Sequence, residues 1–137
     1  MHLQRTALFI FLCLLCTIGT AFGQKQSCDN FKFGKFKSAY SERQGANAIL
    51  ERSIPGKQTE TIEYRGTRYV NDYKIIWRSD CNYTLIPIKS VKDINPFAAQ
   101  VGDSLQVMIQ RILPGNKAEI LTKTKGNIML DTMIKIH

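Results

Sequence analysis

Residues 73 to 85 read YKIIWRSDCNYTL, and large and polar side chains alternate along this stretch. Successive side chains of a β-strand point to opposite faces. The stretch therefore predicts either one long bent strand or a hairpin whose loop, around Ser79-Asp80, has an odd number of residues. In both cases the large side chains and the cysteine share one face: Tyr73, Ile75, Trp77, Cys81, Tyr83 and Leu85.

The same alternation continues over most of residues 24–137, with a glycine or proline about every ten residues. It predicts a single all-β domain of about seven or eight short strands. The favoured fold is a small antiparallel up-and-down β-barrel or half-barrel, with a β-sandwich as second choice. Only residues 89–103 lack the strand period, and the sequence NPFAA at residues 95–99 predicts a short helical turn there.

Other segments predict particular faces. In the first strand the phase changes at Gly34-Lys35, which puts Phe31 and Phe33 on one face and Phe36 and Tyr40 on the other. Two later strands each have one apolar side, formed by Leu105, Val107, Ile109 and Leu113 in the first and by Ile128, Leu130, Ile134 and Ile136 in the last.

Residues 1–23 have the features of a secretory signal: a basic Arg5, an apolar run at residues 7–18, and small residues before Gln24. We therefore expect an exported protein, periplasmic or secreted, with no transmembrane segment after cleavage. Cys28 and Cys81 are the cysteines that remain. Two cysteines in a small exported domain usually pair, so a disulfide is predicted.

The chain carries 19 Lys and Arg against 11 Asp and Glu, a net charge of +8. The basic residues are scattered, without a basic run or regular aromatic interleaving. A solvated basic surface is favoured over a nucleic-acid site, and an envelope polyanion is a candidate partner.

Residue types argue against an enzyme. After residue 23 the only histidine is His137, so neither Cys81 nor any serine has an internal histidine as its base. The chain has no GxSxG sequence, no phosphate-binding glycine loop and no CxxC spacing. The carboxylates do not form an evident pair. We predict no catalytic residues, no cofactor and no metal.

Residues 46–54 and 58–65 flank Pro55-Gly56-Lys57. A three-residue loop there predicts that Arg52 lies opposite Glu60 and that Leu50 lies opposite Ile62. Both charged residues then face the side that is most readily buried.

A polar group at one end of an apolar barrel is the arrangement expected of a small-ligand pocket. The candidate ligand-binding residues are therefore Arg52, Gln58 and Glu60, with Trp77 and Tyr83 as aromatic neighbours. In the alternative interpretation, Arg52 and Glu60 form an ordinary cross-strand ion pair that covers a barrel mouth.

Two motifs, Cys-x-x-Phe-Lys-x-Gly-x-Phe from Cys28 and Trp-x-x-Asp-Cys-x-Tyr-x-Leu from Trp77, resemble a group of small exported proteins of Bacteroidota-type bacteria. The resemblance implies export and the two framework cysteines together. Some members carry a topoisomerase label, but a strand-passing enzyme needs a much longer chain with nucleotide-binding domains. The chain is also similar, more weakly, to lipocalin-like barrels, with Gly34-Lys35-Phe36 in the place of their Gly-x-Trp motif.

Two functions remain from the sequence. The first is a non-enzymatic exported protein that binds a small, partly apolar ligand inside the barrel. The second is a structural or interaction protein of the cell envelope, with a filled core and a basic surface. A cavity above about 300 Å³ would favour the first.

Overall fold

The computed structural model describes residues 27–90 and 102–137. These ranges contain eight strands: β1 (Gly34–Ser38), β2 (Ala46–Arg52), β3 (Lys57–Tyr64), β4 (Thr67–Trp77), β5 (Asn82–Ser90), β6 (Leu105–Leu113), β7 (Lys117–Thr124) and β8 (Asn127–Lys135). A 3₁₀ turn (Asp29–Phe31) precedes β1, and a short helix, α1 (Ala39–Arg43), follows it. The expected signal at residues 1–23 and the expected helical turn at residues 95–99 lie outside the described ranges.

The eight strands form one closed antiparallel barrel. Each strand pairs with the next along the chain, and β8 pairs with β1. The predicted up-and-down barrel is thus confirmed. No helix within the described ranges is long and apolar enough to cross a membrane.

Because neighbouring strands are antiparallel, the connections alternate between the two ends of the barrel. The β2–β3, β4–β5 and β6–β7 loops lie at what we call the closed end, where the 3₁₀ turn places Phe31 in the core with 2% of its surface exposed. The helix α1 lies at the opposite, open end. It begins after Ser38, whose hydroxyl oxygen accepts a hydrogen bond from the Ser41 N–H at 3.1 Å and so caps the helix.

The stretch from Tyr73 to Leu85 forms the β4–β5 hairpin. Trp77 lies directly opposite Tyr83, so the hairpin is centred on Asp80 and the odd-loop alternative is correct. The loop also carries Cys81, which forms the predicted disulfide with Cys28 at a Cα–Cα distance of 5.3 Å. This bond ties the segment before β1 to the closed end of the barrel.

The predicted pairing of β2 and β3 is wrong. Leu50 lies opposite Glu60, and the same register sets Arg52 against Gln58. The chain makes a tight turn in which the Lys57 N–H donates to the Ile54 oxygen at 3.1 Å, and Gly56 takes the positive φ of 74° that this turn requires. The register differs from the prediction by an even number of residues, so the faces are still as predicted and Arg52, Gln58 and Glu60 point inward.

The first strand is also shorter than predicted. Phe31 belongs to the 3₁₀ turn, Phe33 is 52% exposed, and Tyr40 belongs to α1 rather than to a strand. A bulge was the predicted role of Gly34. The structure shows a different one: a side chain at this position would clash with the backbone oxygen of His137. Phe36 is buried in the core.

Two strands differ from their predicted faces. A bulge in β6 between Ile109 and Arg111 reverses the phase, so Ile112 packs against the core in the place expected of Leu113. In β8 the predicted apolar side is the outer one, where Ile128 is 69% and Leu130 is 61% exposed.

Candidate functional site

Arg52 forms the floor of the barrel interior at the closed end. It is 1% exposed, and its Nε donates to the Gln58 Oε1 at 2.8 Å. Its Nη2 donates to the Tyr83 hydroxyl at 2.5 Å, and its Nη1 donates to the Phe31 carbonyl oxygen. The guanidinium therefore joins two strands to the turn that covers the closed end.

The floor is also packed with aromatic rings. The Arg52 guanidinium carbon lies 4.6 Å from the centre of the Tyr83 ring, 5.2 Å from that of Phe36 and 5.8 Å from that of Trp77. Such contacts stabilise a cation that has left water. Among the described residues no carboxylate forms an ion pair with Arg52, so the expected ion pair with Glu60 is not found.

A cavity of about 250 Å³ lies in the barrel interior and reaches towards α1 at the open end. Gln58, Glu60 and Tyr83 line it, whereas Arg52 lies beneath it and Trp77 packs against the core outside its lining. This volume is smaller than the value of about 300 Å³ that the sequence analysis required in favour of a ligand-binding barrel. The core side chains nevertheless leave part of the interior open. Most of its wall is apolar and comes from Leu50, Ile62, Leu85, Leu105, Val107 and Ile120.

One wall of the cavity is polar and is centred on Glu60. The Tyr73 hydroxyl donates to the Glu60 Oε2 at 3.1 Å, and the Asn71 amide donates to the same oxygen at 3.2 Å. Loss of water around this carboxyl raises its pKa above the usual value of 4.5, and the negative charge of Asp131 raises it further. The pKa of Tyr73 is also raised, chiefly by its burial.

Asp131, on β8, is the second carboxyl at the cavity, and the sequence analysis missed it. It accepts hydrogen bonds from the Ser38 hydroxyl at 2.6 Å and from the Tyr40 N–H at 2.7 Å, which join β8 to α1. The signal that would find it is the pairing of β8 with β7. Asp131 lies opposite Ile120, a core residue, so it must face inward.

We expect Glu60→Gln to stabilise the protein at neutral pH and to have little effect in acid. When the folded-state pKa is raised, the stability that the protonated carboxyl contributes is present below about pH 4.5 and is lost as the pH rises through the raised pKa. Glutamine stays neutral and still accepts from Tyr73, so the variant keeps its stability as the pH rises.

Urea unfolding of both proteins at about pH 4 and about pH 7.5 measures this difference. Glu63→Gln is the matched control, because Glu63 is an exposed residue of the same strand. A stability difference between wild type and Glu60→Gln that is the same at both pH values would contradict the expectation.

The described residues include no group of three His, Cys, Asp or Glu side chains close enough to hold a metal ion. The arrangement is therefore an apolar chamber with two carboxyl groups on its wall and an arginine-centred floor. Comparison of the chain with family models, with curated proteins and with solved structures found no match.

Proposed function

We propose that this is an exported, non-enzymatic protein that holds one small, partly apolar ligand in its barrel interior. The observation that supports the proposal is the cavity of about 250 Å³ between the Arg52 floor and α1. Eight-stranded barrels have interiors that are just wide enough for side chains to fill or for one small ligand. Here the side chains leave part of that space open.

The lining supports the same proposal. Ligand pockets are mostly apolar and have a few polar groups that fix the orientation of the ligand. This cavity has that composition, because Gln58, Glu60 and Asp131 face an otherwise largely aliphatic wall. The Cys28–Cys81 disulfide supports export, since such bonds persist in oxidising compartments.

The volume also limits the size of the ligand. In liquid water one molecule occupies about 30 Å³, so the cavity corresponds to about eight water molecules. A molecule of that size fits without repacking of the core. The alternative, a structural protein of the envelope whose basic surface meets polyanions, predicts that the cavity stays empty.

Native mass spectrometry of the protein purified from its own host tests the proposal. A retained small molecule, lost on denaturation, is the expected result. Leu105→Trp should abolish its retention, because Leu105 lines the cavity and the larger ring would occupy it. Gln106→Trp is the matched control on the exposed face of the same strand.

Retention of the same molecule by wild type and by both tryptophan variants would place it outside the barrel and contradict the proposal. A wild-type protein that carries no small molecule, and that gains no thermal stability from a panel of small apolar ligands, would favour the structural alternative.

A further inference from the structure

The cavity differs in charge from the rest of the protein. The chain has 19 basic against 11 acidic side chains. Among the described residues that line the cavity, however, the charged side chains are Glu60 and Asp131, and none is Lys, Arg or His. Arg52 is nearby, but Gln58 and Tyr83 take its hydrogen bonds and separate it from the open space.

Glu60 lacks a cationic partner within the described part of the chain. Its hydrogen-bond donors, the Asn71 amide and the Tyr73 hydroxyl, are both neutral. A carboxylate that leaves water without an opposite charge is unfavourable. Its neighbour Asp131 adds repulsion rather than relief. The barrel interior therefore has a site that a positive charge would stabilise.

The walls around Glu60 also suit a cation that carries an apolar body. Tyr73 and Tyr83 line the cavity, and tyrosine rings attract ammonium groups. Leu85, Val107 and Ile120 provide the apolar surface beyond them. This wall suits an organic cation better than a metal ion, because the described residues place only two carboxyl groups at the cavity and most of the remaining wall is apolar.

We propose that the cavity selects a small organic cation, an alkyl- or arylalkylammonium whose charged nitrogen lies against Glu60 and Asp131 and whose apolar part occupies the aliphatic end. This inference rests on the proposed function and adds the chemical class of the ligand. Glu60 supplies the selecting charge. Asp131, which also holds α1, supplies a second negative group on the same side.

Three six-carbon probes test the inference: hexylammonium, 1-hexanol and hexanoate. Each is titrated by calorimetry at neutral pH into the protein as purified from its host. Their head groups are positive, neutral and negative respectively. Hexylammonium should bind at least about tenfold more tightly than hexanol, the difference expected of a charge-assisted hydrogen bond. Hexanoate should bind more weakly than hexanol, because both carboxylates repel it.

Glu60→Gln should reduce the affinity for hexylammonium by about tenfold or more and that for hexanol by a much smaller factor. Glu63→Gln, on the outer face of β3, should change neither affinity. Circular dichroism and the retained hexanol binding together show that the Glu60→Gln variant is folded.

The outcomes separate this inference from the proposed function. Equal binding of hexanol and hexylammonium, or unchanged hexylammonium binding in Glu60→Gln, would overturn the cation inference and leave a ligand-binding barrel. Calcium chloride that stabilises the protein as much as hexylammonium would overturn the choice of an organic cation. If none of the three six-carbon probes binds and no small molecule is retained from the host, both the cation inference and the proposed function would be overturned.

Discussion

Arg52→Ala should lower the free energy of unfolding by about 3 to 5 kcal/mol. The substitution removes a large buried side chain and leaves the Phe31 carbonyl oxygen and the Gln58 Oε1 without the donor that each has in the native protein. It also removes the cation from three aromatic rings. Chemical unfolding followed by the fluorescence of Trp77 measures the loss.

Two further variants separate the causes. Arg52→Met restores most of the volume but none of the hydrogen bonds, so it should recover only part of the stability lost in Arg52→Ala. Arg111→Ala is the control, because Arg111 forms an exposed ion pair with Glu119 and its loss should change the free energy of unfolding little. Full stability in the methionine variant would contradict a bonding role for the guanidinium.

Replacement of both cysteines, Cys28→Ser with Cys81→Ser, should lower the free energy of unfolding by about 4 kcal/mol. The two residues are 53 positions apart, and the chain-entropy estimate for a loop of that length gives this value. The bond also holds the segment that presents the Phe31 carbonyl to Arg52. Loss of the disulfide should therefore weaken the contact between Arg52 and the Phe31 carbonyl in the folded state. It should also increase the conformational entropy of the unfolded state.

Urea unfolding with and without reductant provides the measurement, and the double serine variant, which reductant should not affect, is the control. Because both perturbations act through Phe31, the loss in the combined variant with Arg52→Ala should be smaller than the sum of the separate losses. Additive losses would show that the disulfide and the arginine stabilise the protein independently. In protein that lacks residues 1–23, and with them Cys13 and Cys16, two titratable thiols per denatured, unreduced chain would contradict the disulfide itself.

Alternation in the sequence was sufficient to predict the barrel and the inward face of β2 and β3, and it narrowed residues 73–85 to a long bent strand or a hairpin with an odd-length loop around Ser79-Asp80. These features depend on a period of two, which a sequence displays directly. The pairing of Arg52 was not predictable in the same way. Arg52 faces inward whether it lies opposite Glu60, as predicted, or opposite Gln58, as found. Which pairing forms depends on the turn between Ile54 and Lys57, and backbone geometry determines that turn.

The polar wall of the cavity was only half predictable. In β3, Glu60 shares its face with the buried Gln58 and Ile62, so the alternation indicates that it points inward. In β8, Asp131 follows Leu130, and the apolar side of that strand faces outward. The pattern of β8 alone therefore suggests the wrong face. Only its pairing with β7 corrects the error, and such pairing is a tertiary feature that local periodicity does not contain.

The wall of the barrel is not closed in the same way all around. β1 and β8 share three register pairs, against eight between β7 and β8. Beyond Ser38 the chain leaves the sheet for α1, and the hydrogen bonds of Asp131 to the Ser38 hydroxyl and the Tyr40 N–H hold that section. At its open end the girth of the barrel therefore depends on where one five-residue helix is held, as well as on the strand ladders. The Asp131 side chain that lines the chamber thus also fastens a section of its wall that backbone pairing does not close.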